Sequence, residues 1–287
     1  MEIRIRHARP EDAEACGRII YEAFKGIAEW HNFRPDFPSA DAATQLAQLF
    51  VNDPSVFGVV AESGGRVIGS NFLSEWDAVR GVGPITIDPN VQSRGVGRRL
   101  MEAVIERGRG AAGVRLVQDS FNTASLSLYA SLGFEVKEPL ALVEGTIGGG
   151  APAGYEVRPI RDEDLGATAE LCRRVHGFSR AGEMRGLAPV HTPFVALRGG
   201  RVTAYATAPN FWALGHAVAE GDEDMQALLA GAAAETGQPL SLLLPTRQAG
   251  LFRWCLSRGL RVVKTMTLMT MGEYSEPRGS YLPSVLY

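Results

Sequence analysis

The feature that most constrains this chain is a repeated order of elements. Leu128-Tyr129-Ala130-Ser131-Leu132-Gly133-Phe134-Glu135-Val136 matches Trp254-Cys255-Leu256-Ser257-Arg258-Gly259-Leu260-Arg261-Val262 position by position. Each stretch predicts a helix ended by glycine and followed by a strand. The starts correspond as well. Ile3-Arg4-Ile5, then Pro10-Glu11-Asp12, is echoed by Val157-Arg158-Pro159-Ile160, then Asp162-Glu163-Asp164. Two predicted hairpins follow in the same order: Val56–Glu62 and Val67–Leu73 around Ser63-Gly64-Gly65, then Phe194–Leu197 and Val202–Ala206 around Gly199-Gly200. Such an order predicts a duplicated domain. The boundaries expected are 1–145 and 155–272, joined by a glycine-rich linker over 146–154 and followed by a tail, 273–287. A length of 287 residues suits two cores.

Composition narrows the class. The chain is 45% hydrophobic and 21% charged with a formal charge of -3, the balance of a folded soluble protein. That charge argues against nonspecific nucleic-acid binding. There is no membrane-length apolar run and no signal-peptide core at the N-terminus, so a cytoplasmic location is expected. Cys16, Cys172 and Cys255 are odd in number and scattered. They suggest neither disulfides nor zinc, and the five histidines lack metal-ligand spacing, so no metal is expected.

The chemistry concentrates in residues 85–100. Ile85-Thr86-Ile87 predicts a strand, Asp88-Pro89-Asn90 a turn, and Val96 the start of a helix. Gly95 and Gly97 let backbone approach a ligand. The first helical amides have no intrahelical acceptor, and a pyrophosphate there would satisfy several at once. Arg98 and Arg99 put cations at the positive end of the helix dipole, a conflict that a bound anion relieves. The bland alternative is a glycine turn with solvated arginines. The second half carries Glu220, Asp222, Glu223 and Asp224 at the matching place, which would repel such an anion.

With these pieces assembled, the chain resembles the GCN5-related N-acetyltransferases (GNAT), in a tandem of two domains. The family's loop (glutamine or arginine, two residues, glycine, one residue, glycine or alanine) is matched by Gln92-Ser93-Arg94-Gly95-Val96-Gly97. Asn122, Leu128-Tyr129 and Gly133-Phe134 match a second family pattern in order and spacing. The resemblance is strong over residues 3–144 and mainly architectural over 155–272. It implies an α/β fold: two GNAT-like domains, each a mixed twisted sheet flanked by helices, the second degenerate. It implies acetyl-CoA as cosubstrate, with Ile85, Thr86 and Ile87 on a splayed strand beside the pantetheine arm. Amides from Val91 or Gln92 through Arg94, Gly95, Val96, Gly97 and Arg98 would hold the pyrophosphate.

Transfer of acetyl to an amine needs a neutral amine, a held carbonyl and a proton for the departing thiolate. Tyr129 is the expected proton donor; its alternative is a core aromatic. Asn122 is expected to bind the pantetheine arm or to begin the next helix. Glu75 is the expected base, ahead of Asp77, though both suit a solvated loop. Glu22, Glu29, Trp30 and Phe33 are the expected acceptor wall, against the alternative of interdomain packing. Cys255, at the place of Tyr129, is expected to be packing only. The function expected is direct acetyl transfer to an amine, borne by a small molecule or a protein. The rival is a noncatalytic acyl-CoA-binding protein on the same scaffold. Acceptor identity and oligomeric state are not encoded in any motif.

Overall fold

The computed structural model describes residues 2–91, 95–187 and 191–286. The first half runs β1 (Arg4–His7), α1 (Ala13–Trp30), α2 (Ala40–Asn52), β2 (Val56–Ser63), β3 (Arg66–Ser74), β4 (Val79–Val82), β5 (Thr86–Ile87), α3 (Val96–Gly108), β6 (Gly113–Asp119), α4 (Thr123–Ser131) and β7 (Glu135–Gly145). The second runs β8 (Tyr155–Pro159), α5 (Leu165–His176), α6 (Ala181–Leu187), β9 (Phe194–Arg198), β10 (Arg201–Ala206), β11 (Ala217–Ala219), α7 (Asp222–Thr236), β12 (Leu240–Pro245), α8 (Ala249–Ser257), β13 (Arg261–Gly272) and β14 (Ser280–Leu282). Duplication is visible in side chains too. Arg6 grips Asp12 through both terminal nitrogens, at 2.7 and 2.8 Å, and Arg158 grips Asp164 in the same way.

The halves do not keep separate sheets. The larger sheet has the order β1-β2-β3-β4-β6-β13-β7-β12, with β5 on β3; a second, antiparallel sheet has the order β14-β11-β10-β9-β8. Thus β13 of the second half lies between β6 and β7 of the first, and β7 lies between β13 and β12. The exchange is two-fold: Val114 pairs with Met271, as Leu240 pairs with Gly145. The offset that relates Tyr129 to Cys255 carries one ladder onto the other. Sequence explains the arrangement. Leu140-Ala141-Leu142-Val143 is apolar at consecutive positions and buried throughout, as a strand covered on both faces requires. The expected boundary at 146–154 therefore separates the repeats in sequence, but cutting there would part β6 and β7 from β13.

In the first half, α3 and α4 cover one face of the sheet over Leu73, Val114, Leu116 and Met269. Helices α1 and α2 cover the other over Val60 and Phe72. Among the described residues no helix is long and apolar enough to cross a membrane.

Candidate active site

The site begins where two neighbouring strands diverge. Strand β4 pairs with β6 in parallel from Val79↔Gly113 to Gly81↔Arg115. The chain then breaks at Gly83-Pro84, where proline has no N–H for the ladder. Past the break, β5 stays on β3 through Ser70↔Thr86 and Gly69↔Ile87 and has no pairing with β6. The gap opens into a cleft of about 450 Å³, lined by Ile85, Thr86 and Ile87 on one side. Gly95, Val96, Gly97 and Arg98 line it at the start of α3, Asn122 and Tyr129 at α4, and Phe24 and Ile27 on α1.

The start of α3 explains its glycines. Gly95 is left-handed, with φ of 75°, and turns the chain into the helix. The Arg99 amide donates to the Gly95 carbonyl at 3.2 Å, so the amides of Val96, Gly97 and Arg98 precede the helix's own ladder. A Cβ on Gly97 would stand 3.0 Å from Ile87 Cδ1 and 3.4 Å from Leu128 Cδ2. Glycine there seats the helix start against both β5 and α4. Arg98 reaches along the cleft and donates to Ser131 Oγ at 2.6 Å, whereas Arg99 donates to the Ile3 carbonyl. Val91 ends a short 3-10 turn and packs on the core beside α3. Gln92 and Arg94 lie outside the described residues.

Asn122 caps α4, its Oδ1 accepting from the Ser125 amide at 3.1 Å, and also lines the cleft. Tyr129 is buried and faces the cleft from the same helix. Burial pushes its hydroxyl up to about 12, so it keeps its proton at neutral pH.

Other expected residues lie elsewhere. Glu75 is held by Arg80 at 2.5 Å and Arg107 at 2.8 Å, in a separate depression with His7 and Phe57. Asp77 accepts from the amides of Gly182 and Glu183, at 3.0 and 2.9 Å, at the start of α6. The expected acceptor wall is also displaced. Glu22 is exposed, Glu29 pairs with Lys25 one turn away, and Trp30 is 82% exposed. Phe33 stacks on Phe121, centroids 4.6 Å apart. None of the four lines the cleft: α1 turns Glu22, Glu29 and Trp30 to solvent, and Phe33, just past its end, packs on Phe121.

What does form a cavity is the stretch immediately after them. Arg34, Asp36 and Phe37 enclose about 630 Å³ together with Glu144 on β7, Trp212, Ser241 on β12 and Lys264 on β13. Lys264, 4% exposed, places Nζ 2.6 Å from Asp36 Oδ1 and 2.7 Å from Asp119 Oδ1. The sequence reading missed these three. Asp119 at the end of an apolar strand was the available signal, but its partner lies in the other half of the chain.

The corresponding groove of the second half is filled by the chain itself. β14 pairs antiparallel with β11 and lies against β12. Gln248, the counterpart of Asn122, donates to the Tyr281 carbonyl at 2.6 Å and accepts from its amide at 3.0 Å. At the start of α7, Asp224 accepts from the Tyr155 hydroxyl at 3.0 Å. Cys255 is fully buried, its thiol pushed up to about 12 by burial.

The profile of the Acetyltransferase (GNAT) family matches residues 24–134. The N-alpha-acetyltransferase RimI of Mycobacterium tuberculosis is 32% identical over 128 residues, which span 43% of this chain and 73% of that protein. The chain belongs to the GNAT acetyltransferase family. Acetyl-CoA is accordingly its cosubstrate. Two solved structures share the fold across nearly the whole chain. A Pyrococcus horikoshii protein superposes with a TM-score of 0.75 at 15% identity, over 97% of this chain and 94% of its own. A tandem GNAT protein from the clavulanic acid biosynthesis pathway gives 0.59 at 14% identity, over 96% and 100%. At such identities the likeness is one of fold.

Proposed function

We propose that the chain is an acetyl-CoA-dependent N-acetyltransferase whose first-half cleft carries acetyl directly to an amine. The observation that carries this reading is the cleft beside β5, with a protonated buried tyrosine of α4 on one wall and the amides opening α3 on another. Acetyl-CoA supplies an activated thioester. The backbone of β5, left unpaired toward β6, suits the amides of the pantetheine arm. The amides of Val96, Gly97 and Arg98, with the Arg98 guanidinium, suit the pyrophosphate. Tyr129 donates its proton to the sulfur as the C–S bond breaks and the C–N bond forms. None of the three cysteines lines the cleft, and burial raises each thiol, Cys16 to about 11, which supports direct transfer over an acyl-cysteine. In the second half, β14 and the acids of α7 support a scaffolding role without cofactor.

The test is turnover of Tyr129→Phe with an amine panel, followed by release of CoA thiol. The variant is expected to bind acetyl-CoA like the parent while kcat falls by roughly 10²-fold. Unchanged kcat would remove the role of Tyr129. Tight acetyl-CoA binding by the parent, with no transfer to any amine, would instead support the noncatalytic reading.

A further inference from the structure

Two carboxylates share the Lys264 ammonium beside the cavity between the halves: Asp36 lines the cavity with Lys264, and Asp119 lies behind that ammonium. We propose that this cavity is the acceptor site, and that Asp36 at its wall, with the charge of Asp119 behind Lys264, selects a small amine, cationic in solution, with an apolar body. The inference deepens the acetyltransferase reading and rests on it.

The charge count comes first. At the rim, Arg34 Nη2 donates to both oxygens of Glu144, at 3.0 and 2.8 Å, so these two cancel. At the floor, Lys264 has two acidic partners, and the group of three keeps a net negative charge when both acids are ionised. Buried unbalanced charge is unfavourable, and a second ammonium would balance it. His31, whose ring lies against Phe121, is the other ionisable group acting on Asp119. The walls are aromatic. Tyr21, Phe37, Phe211 and Trp212 line the cavity, and Lys264 Nζ already sits 5.1 Å from the Trp212 ring. Such walls suit both a cation and its apolar remainder.

The cavity abuts the cleft. Phe24 lines the cleft and Phe37 the cavity, and their rings meet edge to face at 5.5 Å. Asp119 ends β6 three residues before Asn122, which faces the cleft. Burial pushes the Asp119 carboxyl up; Lys264 and His31 oppose that shift and Asp36 adds to it. Asp36, which lines the cavity, is the acid placed to take the first proton of the ammonium. As the C–N bond forms, the nitrogen's second proton restores the one Tyr129 gives to sulfur, and Asp36 returns its own to water.

Phenethylamine and its neutral isostere 2-phenylethanol provide the test, titrated by calorimetry into protein saturated with CoA. The amine is expected to bind at least about tenfold more tightly than the alcohol. Asp36→Asn should weaken amine binding by about tenfold and leave acetyl-CoA affinity unchanged. Gln238→Arg, an exposed substitution at the cavity wall, gives a second variant: it should weaken the amine several-fold by repulsion while the fold is kept. Equal affinity for amine and alcohol, no saturable amine binding at about 10 mM, or full amine binding in Gln238→Arg would overturn the proposal. Failure of the parent to bind acetyl-CoA would overturn the acetyltransferase reading instead, which the separate acetyl-CoA titration reveals.

Discussion

Gln248 brackets Tyr281: one amide side chain donates to the tyrosine carbonyl and accepts from its N–H. Its counterpart Asn122 caps α4 beside an open cleft. The same place in the two repeats thus meets a groove in one and the chain's own strand in the other.

Gln248→Ala should therefore cost stability without changing cofactor stoichiometry. It removes two bonds to the Tyr281 backbone and a third from Ser280 Oγ. The expected loss is about 1–3 kcal/mol. Chemical denaturation measures that loss, while calorimetry should still find one acetyl-CoA per chain. Two equivalents in either protein would contradict the scaffolding role of the second half.

Gly97→Glu separates the phosphate site from the fold. The new Cβ meets only side-chain ends, Ile87 Cδ1 and Leu128 Cδ2, so the helix can adjust. The carboxylate, however, lies where three amides and Arg98 would receive an anion. Acetyl-CoA affinity should fall by about tenfold or more while the circular dichroism spectrum stays unchanged. Gly97→Ala should lose much less. Equal affinity in parent and Gly97→Glu would withdraw the pyrophosphate assignment.

Stability should decline with acidification in two stages. His176 and His216 are held below their ordinary range, in each case first by burial and then by Arg180. They stay neutral in the fold but take up protons when unfolded, so stability drops as pH falls below about 6.5. The depressed carboxyls act lower on the scale. The Arg6 and Arg158 bonds hold Asp12 and Asp164 below the usual range. Burial raises Glu183, but Arg180 and His216 outweigh it and bring it to about 2. Their contribution is present above about 4.5 and is lost as pH falls through those lowered values. Urea melts at about pH 7.5, 5.5 and 3.5 would show both declines. Equal stability at the first two would contradict neutral buried histidines.

The local elements were legible because their signals are local. Helix Thr123–Ser131 follows from its cap and its glycine stop, and the hairpin turns follow from their paired glycines. The splayed strand at Ile85-Thr86-Ile87 was expected from the family resemblance and the loop that follows, whereas the break at Gly83-Pro84 carried no mark in that reading. The exchange of β13 was not, since apolar strands such as β6, β7 and β13 offer no mark that names their neighbours. The cavity proposed for the acceptor was lost for the same reason. Asp36, Asp119 and Lys264 sit in three distant segments, and only the exchanged sheet brings them within 2.7 Å. Glu75 had the position expected of a base, but Arg80 and Arg107 claim its carboxylate.

The interleaving of β13 between β6 and β7 also sets an order of events during synthesis. A ribosome delivers residues 113–145 long before residues 261–272 emerge. Until then β6 and β7 expose apolar edges with no native neighbour, the kind of surface that pairs wrongly with other chains. The first half thus waits for a strand of the second, and a stalled or truncated nascent chain would be left with an unfinished sheet rather than a complete first half.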